Sequence, residues 1–159
     1  KSIEEAEKKV DFCLRAGALA VGAKVKIETN GGYLPSRYDS NLNEIFEQIA
    51  KTELGKTKVH RGKPKGSSSD MADLSHLMPV IHPWTHCANG RGHGIDYLVQ
   101  DYHLAVVTSA KLLTTMIIRL LSNDAGVARK VIDRFNPTFT KETYLSRLRQ
   151  LNRIKIYNN

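Results

Sequence analysis

Gly66-Ser67-Ser68-Ser69-Asp70-Met71-Ala72-Asp73-Leu74-Ser75-His76, followed by Pro79-Val80-Ile81-His82-Pro83, His86-Cys87 and Gly92-His93-Gly94, is the stretch on which the reading of this chain turns. Small hydroxyl residues ending in a carboxylate let backbone come close to a ligand. Imidazoles follow at short intervals, and imidazole with carboxylate is the ligand chemistry of zinc, manganese and similar ions. His93, between two glycines, can be aimed at a metal; its alternative is a surface histidine in a loop. Asp70 suits either a ligand-facing carboxylate or the N-cap of a short helix beginning at Met71. His82, in an apolar stretch before a proline, reads first as a hydrogen-bonded core residue. His86 and Cys87 could complete a zinc set with His82 and His93, but the spacing matches none of the paired motifs of structural zinc sites. His60, His76 and His103 read as structural, and Ser67 to Ser69 lack the context of a catalytic nucleophile.

Outward from this stretch, the chain reads as helix and strand, then helix and strand, then the site loop, another strand and three helices. Ser2 with Glu5 forms a capping-box pattern for a helix whose apolar positions, Ala6, Val10, Leu14 and Val21, recur at helical spacing; Gly22 ends it. Ala23, Val25 and Ile27 alternate with charged residues as in a half-buried strand. Asn41 with Glu44 predicts the start of a second helix that Gly55 stops, with a short strand over 58–60 beyond it. Asp70 to Leu77 predicts a short helical turn, and Pro79 to Trp84 a buried strand. The longest element, about Asp101 to Leu121, carries an apolar stripe of Val106, Ala110, Leu113, Ile117 and Leu120, widened by Leu112 and Met116. Lys111 and Arg119 within it make it a core helix rather than a membrane span. Asn123 or Asp124 starts a further helix, and Thr140 caps the last, with Leu145, Leu148 and Leu151 inward.

The bulk properties bound the function classes. At 159 residues, 41% hydrophobic and 25% charged, the chain is long enough for one ordinary domain and has the composition of a soluble protein. It opens inside a helical pattern without an initiator Met, as a fragment would. Two cysteines, Cys13 and Cys87, make no disulfide framework, so a cytoplasmic location is expected. The net charge of +8 gathers around 56–65 and 147–155, but neither stretch has the aromatic residues of a nucleic-acid-binding module. A basic nucleic-acid-binding module and a small structural-zinc protein are the alternative readings.

The Ser-Ser-Asp-Met stretch at 68–71 with its continuation to His76, the Pro-Val-Ile-His-Pro of 79–83 and Gly92-His93 resemble the C-terminal part of the metal-dependent amidohydrolases. That group includes aminoacylases, p-aminobenzoyl-glutamate hydrolases and glutamate carboxypeptidases. Gly32-Tyr33-Leu34-Pro35, Phe135-Asn136-Pro137 and Thr140-Lys141-Glu142 are similar to it as well. The resemblance implies an α/β fold: residues 1–29 as the closing helix and strand of a lid or dimerisation domain, and 32–159 as the end of a catalytic domain with a mixed sheet flanked by helices. It implies two divalent ions, zinc or manganese, with His93 as one ligand. Ser68, Ser69 and Asp70 would line the site near the substrate carboxylate, with His82 behind the first ring of groups. The substrate would be an N-acyl amino acid or dipeptide, and the intact enzyme a homodimer through its lid, away from membranes and nucleic acid. The other ligands and the paired glutamates of the general base should lie upstream, so this chain alone should have little activity.

Overall fold

A computed structural model describes residues 3–62 and 69–158. The chain divides into two compact units, Lys1–Gly32 with Phe139–Asn159, and Tyr33–Thr138. The first break falls where Asn30-Gly31-Gly32 reads as a linker. The last 21 or so residues, read from sequence as part of 32–159, instead return to the first unit, because a C-terminal strand pairs there with the strand near the start.

The first unit comprises helix α1 (Ile3–Ala20), strand β1 (Val25–Thr29), helix α5 (Lys141–Leu151) and strand β4 (Arg153–Tyr157). β1 and β4 form an antiparallel pair with Ile27 opposite Lys155 and Thr29 opposite Arg153. Gly22, at φ 65°, turns the chain out of α1 in a conformation that favours glycine. The orientation of α1 differs from the expected one. Val10, Leu14 and Val21 are exposed, whereas Asp11 is buried. The reason is the partner strand: Arg153 pairs with Glu7, and Lys155 with Asp11. Ile154 and Ile156 on β4 face outward in consequence. Thr140 caps α5 as expected, in a reciprocal arrangement with Thr143, but Leu145 is exposed and only Leu148 and Leu151 are half-buried.

The second unit is built on helix α2 (Ser40–Leu54) and helix α4 (Ser109–Arg134), the latter entered through a π-helical turn, His103–Thr108. Leu42, Ile49 and Ala50 of α2 pack with Leu112, Met116 and Val131 of α4 to form the buried core. Asp39, not Asn41, caps α2: its carboxylate accepts from Leu42 N at 2.8 Å. Gly55 stops α2 at φ 89°, and a 3-10 turn over Lys56–Lys58 takes the place of the expected strand. Over 106–121 the buried positions are Leu112 and Met116, while Val106, Leu113 and Ile117 of the expected stripe are exposed. The stripe was displaced by one residue because α2 and its Glu53 and Gln48, which pair with Lys111 and Arg119, select the face that docks. Helical geometry breaks at Ser122–Ala125, where Asn123, Asp124 and Ala125 all take positive φ, so two helices meet where the sequence predicts a new start.

Two-residue strands β2 (Ala88–Asn89) and β3 (Leu98–Val99) close a small hairpin. Among the described residues the sheets are two separate antiparallel pairs, whereas the resemblance implies a mixed sheet. The expected strand at Pro79 to Trp84 has no ladder. Val80 is buried, and its carbonyl accepts from Asp39 N at 2.9 Å, but Pro79 and Pro83 lack the N–H groups that pairing needs. By length and composition the helical run His103–Arg134 could cross a membrane; one face of it is committed to α2.

Candidate functional site

The site stretch sits on helix α3 (Asp70–Leu74) and the turn after it. Ser69 is the N-cap in extended backbone and Asp70 is the first helical residue, so the cap lies one residue earlier than Asp70. Ser68 lies outside the described residues. The Ser69 hydroxyl is buried and has no hydrogen-bond partner among the described residues.

Alongside this stretch runs the segment Tyr33 to Asp39, joined to it rung by rung. Leu34 N donates to Asp73 Oδ1 at 2.7 Å, and Arg37 N to Ser75 Oγ at 2.8 Å. His76 Nε2 meets the Pro35 carbonyl at 2.7 Å, and Tyr38 Oη meets His82 Nδ1 at 3.2 Å. Ser75 is fully buried and donates its own proton to Ala72 O at 2.5 Å, so one hydroxyl serves both segments. Hydrogen bonding to Asp70 first, and the Asp70 charge next, hold the Tyr33 phenol above its ordinary pKa of 10.0, since both favour the protonated form.

A third segment joins from the far end of α4. Arg37 Nη1 donates to Asn136 O at 2.7 Å and Thr138 Oγ1 at 3.0 Å, and Thr138 N donates to His76 O at 2.9 Å. His76, read as merely structural, is thus a junction between three stretches of chain. His82 is half-buried between Tyr38 and Trp84, whose ring lies 5.1 Å away. This fits the hydrogen-bonded reading of that residue.

His93 occupies the apex of the β2–β3 hairpin. It is exposed and takes φ 63°, a left-handed conformation that histidine adopts more readily than most residues. The loop beneath it is tight: Gly94 N donates to Arg91 O at 2.7 Å, and a side chain at Gly90 would collide with the Asp96 backbone. No group of three or more His, Cys, Asp or Glu side chains capable of holding a metal occurs among the described residues. His82, His86 and Cys87 form no such group with His93. Asp101 N and Gln100 N both donate to the Cys87 carbonyl, which ties the hairpin to the start of the long helix.

Sequence reasoning missed Tyr33 and Asp73 as site neighbours. The only signal was Tyr33-Leu34-Pro35, whose extended backbone predicts that the segment can lie alongside another. The sequence matches no family model, and no curated protein or solved structure is similar to it.

Proposed function

We propose that this chain is the C-terminal part of a two-metal amidohydrolase or metallopeptidase, whose intact form cleaves the amide bond of an N-acyl or N-aroyl amino acid or of a dipeptide. One observation carries the reading. Three of the stretches that bear the family resemblance, at 33–35, 69–76 and 135–137, lie far apart in sequence and are joined through Leu34, Pro35, Arg37 and His76. A constellation used for one site should converge in this way, and unrelated matches need not.

In this reading His93 is one ligand of a pair of divalent ions, zinc or manganese. Those ions would supply a polarised water as nucleophile and neutralise charge developing on the scissile carbonyl. The chain's own contribution is to bind and orient. Ser68, Ser69 and Asp70 would face the substrate, and the Tyr33–Asp39 segment anchors the helix and turn that follow them. His82, fixed by Tyr38, stands behind them. The proton-shuttling glutamate belongs to upstream sequence, so the chain alone is inactive. The enzyme would be a cytoplasmic homodimer through its lid. The exposed apolar side chains Leu113, Ile117, Ile118 and Leu121 of α4 leave a surface for the rest of such a domain to cover.

The test is made on the protein produced with the sequence that precedes Lys1 in its gene. Loaded with zinc or manganese, it should release free amino acid from N-acyl substrates. His93→Ala should lower bound metal from about two equivalents to about one and remove turnover. Unchanged metal content in that variant, or an upstream sequence without paired glutamates and a Cys-x-His or His-x-Asp motif, sinks the reading.

A further inference from the structure

We propose that the cavity between α2 and the two halves of α4 binds a small organic anion, a carboxylate carried on an apolar body. It needs nothing from the amidohydrolase reading. The break in α4 creates this cavity. Along one straight helix Arg119 and Arg134 would stand about 22 Å apart. Both instead line one space of about 300 Å³. The positive φ of Asn123, Asp124 and Ala125 turns the second half of the helix back towards α2, where Val131 is buried with Leu42 and Ile49. Successive non-glycine residues in the left-handed region are costly, and such strain persists only where the surrounding packing imposes it.

The lining divides by chemistry. Ile45 and Val127 are half-buried and Val131 is buried, which gives an apolar floor. Arg119, Lys130 and Arg134 stand exposed around it, against the single carboxylate of Glu44. Arg119 is steadied by Gln48, whose Oε1 accepts from Nη2 at 2.9 Å, and its guanidinium has further donors to offer. The side chains of Lys130 and Arg134 have no ion pair among the described residues. Residues 63–68, which lie outside the described ones, contain no Asp or Glu that could supply one. An anion placed here gains charge-assisted hydrogen bonds while its hydrocarbon part leaves water. The planar fork of an arginine matches a carboxylate in particular. A cavity of about 300 Å³ holds roughly ten non-hydrogen atoms at about 30 Å³ each, the size of an aromatic or short branched monocarboxylate.

The experiment titrates 4-fluorobenzoate into the full-length protein at low ionic strength and follows the fluorine NMR signal. 4-Fluorobenzamide and inorganic phosphate serve as comparison probes, one lacking the charge and the other the apolar body. The benzoate should bind saturably, and both comparison probes about tenfold more weakly. Arg134→Gln and Lys130→Gln should each weaken the benzoate about tenfold and leave the amide unchanged. Arg149→Gln, at an exposed cation of α5, should change neither. Absence of saturable binding overturns the inference, as does unchanged affinity in the Arg134 and Lys130 variants. Equal weakening by Arg149→Gln reduces the effect to net charge and overturns it too. Phosphate binding as tightly as the benzoate would show that the apolar floor selects nothing, and the organic anion would then be the wrong ligand.

Discussion

Lys155 Nζ lies 2.5 Å from Asp11 Oδ2, and this pair shows why β4 turns its charged side inward. Glu7, Asp11 and Arg15 are spaced four residues apart on α1, a rise of about 6 Å per step. Arg153, Lys155 and Tyr157 are spaced two apart on β4, a rise of about 6.6 Å per step. The two ladders match rung for rung: Glu7 with Arg153, Asp11 with Lys155, and the Arg15 guanidinium 4.1 Å from the Tyr157 ring centroid. Thr29 on the paired strand adds a bond to Glu7 at 3.5 Å.

The Asp11 bond holds the Lys155 ammonium above its ordinary pKa of 10.5. A raised folded-state value means the contribution is fully present below the unfolded value and is lost as pH rises through the folded one. Denaturant midpoints should therefore fall as pH climbs past about 10.5. Asp11→Asn should lower the midpoint at neutral pH and flatten that alkaline decline. An equally steep decline in the variant would show that Lys155 is not its source.

Glu47 predicts the opposite limb. Lys51, and next Arg61, hold its carboxyl below its ordinary range. A depressed value gives stability that is present above the unfolded value of 4.5 and lost as pH falls through the folded one. Acid titration of the folded protein should show Glu47→Gln losing less stability than the wild type between neutral pH and the acid end.

Leu112 and Leu113 adjoin in sequence and separate in energy. Leu112 is 3% exposed and Leu113 is 48% exposed. Leu112→Ala should cost about 2–5 kcal/mol, as a cavity in a packed core does. Leu113→Ala should cost well under half as much in this chain. Chemical denaturation of the two variants decides which face of α4 docks on α2.

Ser75→Ala removes the acceptor for Arg37 N and the donor to Ala72 O at a fully buried position. The stranded Arg37 N–H should cost about 1–3 kcal/mol. Hydrogen exchange at that amide should accelerate more than at amides of α2.

Ala125 sits at φ 55° within the break in α4. A left-handed alanine costs about 1–2 kcal/mol, more than glycine loses in chain entropy. Ala125→Gly should raise the thermal midpoint, by roughly 0.5–1 kcal/mol of stability. Ala110→Gly, at an exposed helical position, should lower it.

What could be read from this sequence alone was local. Gly22 and Gly55 ending their helices, Thr140 starting one, the new helical start near Asn123 and the loop position of His93 between two glycines all follow from short-range sterics and hydrogen bonding. The residues of the site stretch were likewise legible as chemistry, since side-chain type alone limits what Asp70 or His93 can bind. Partner choice was not legible. The strand over 153–157 was not foreseen: its charges turned to Glu7 and Asp11 of α1, more than a hundred residues away, and its isoleucines turned outward. The apolar stripe of α4 was broad enough to dock on several faces, and α2 selected Leu112 and Met116 over Leu113 and Ile117. The bond from Leu34 N to Asp73 has the same origin: an extended segment and a short helix carry no record of each other until the chain folds. Tertiary structure decided these pairings because burial and ion pairing reward whichever distant surface fits, whereas propensity sees only neighbours in sequence.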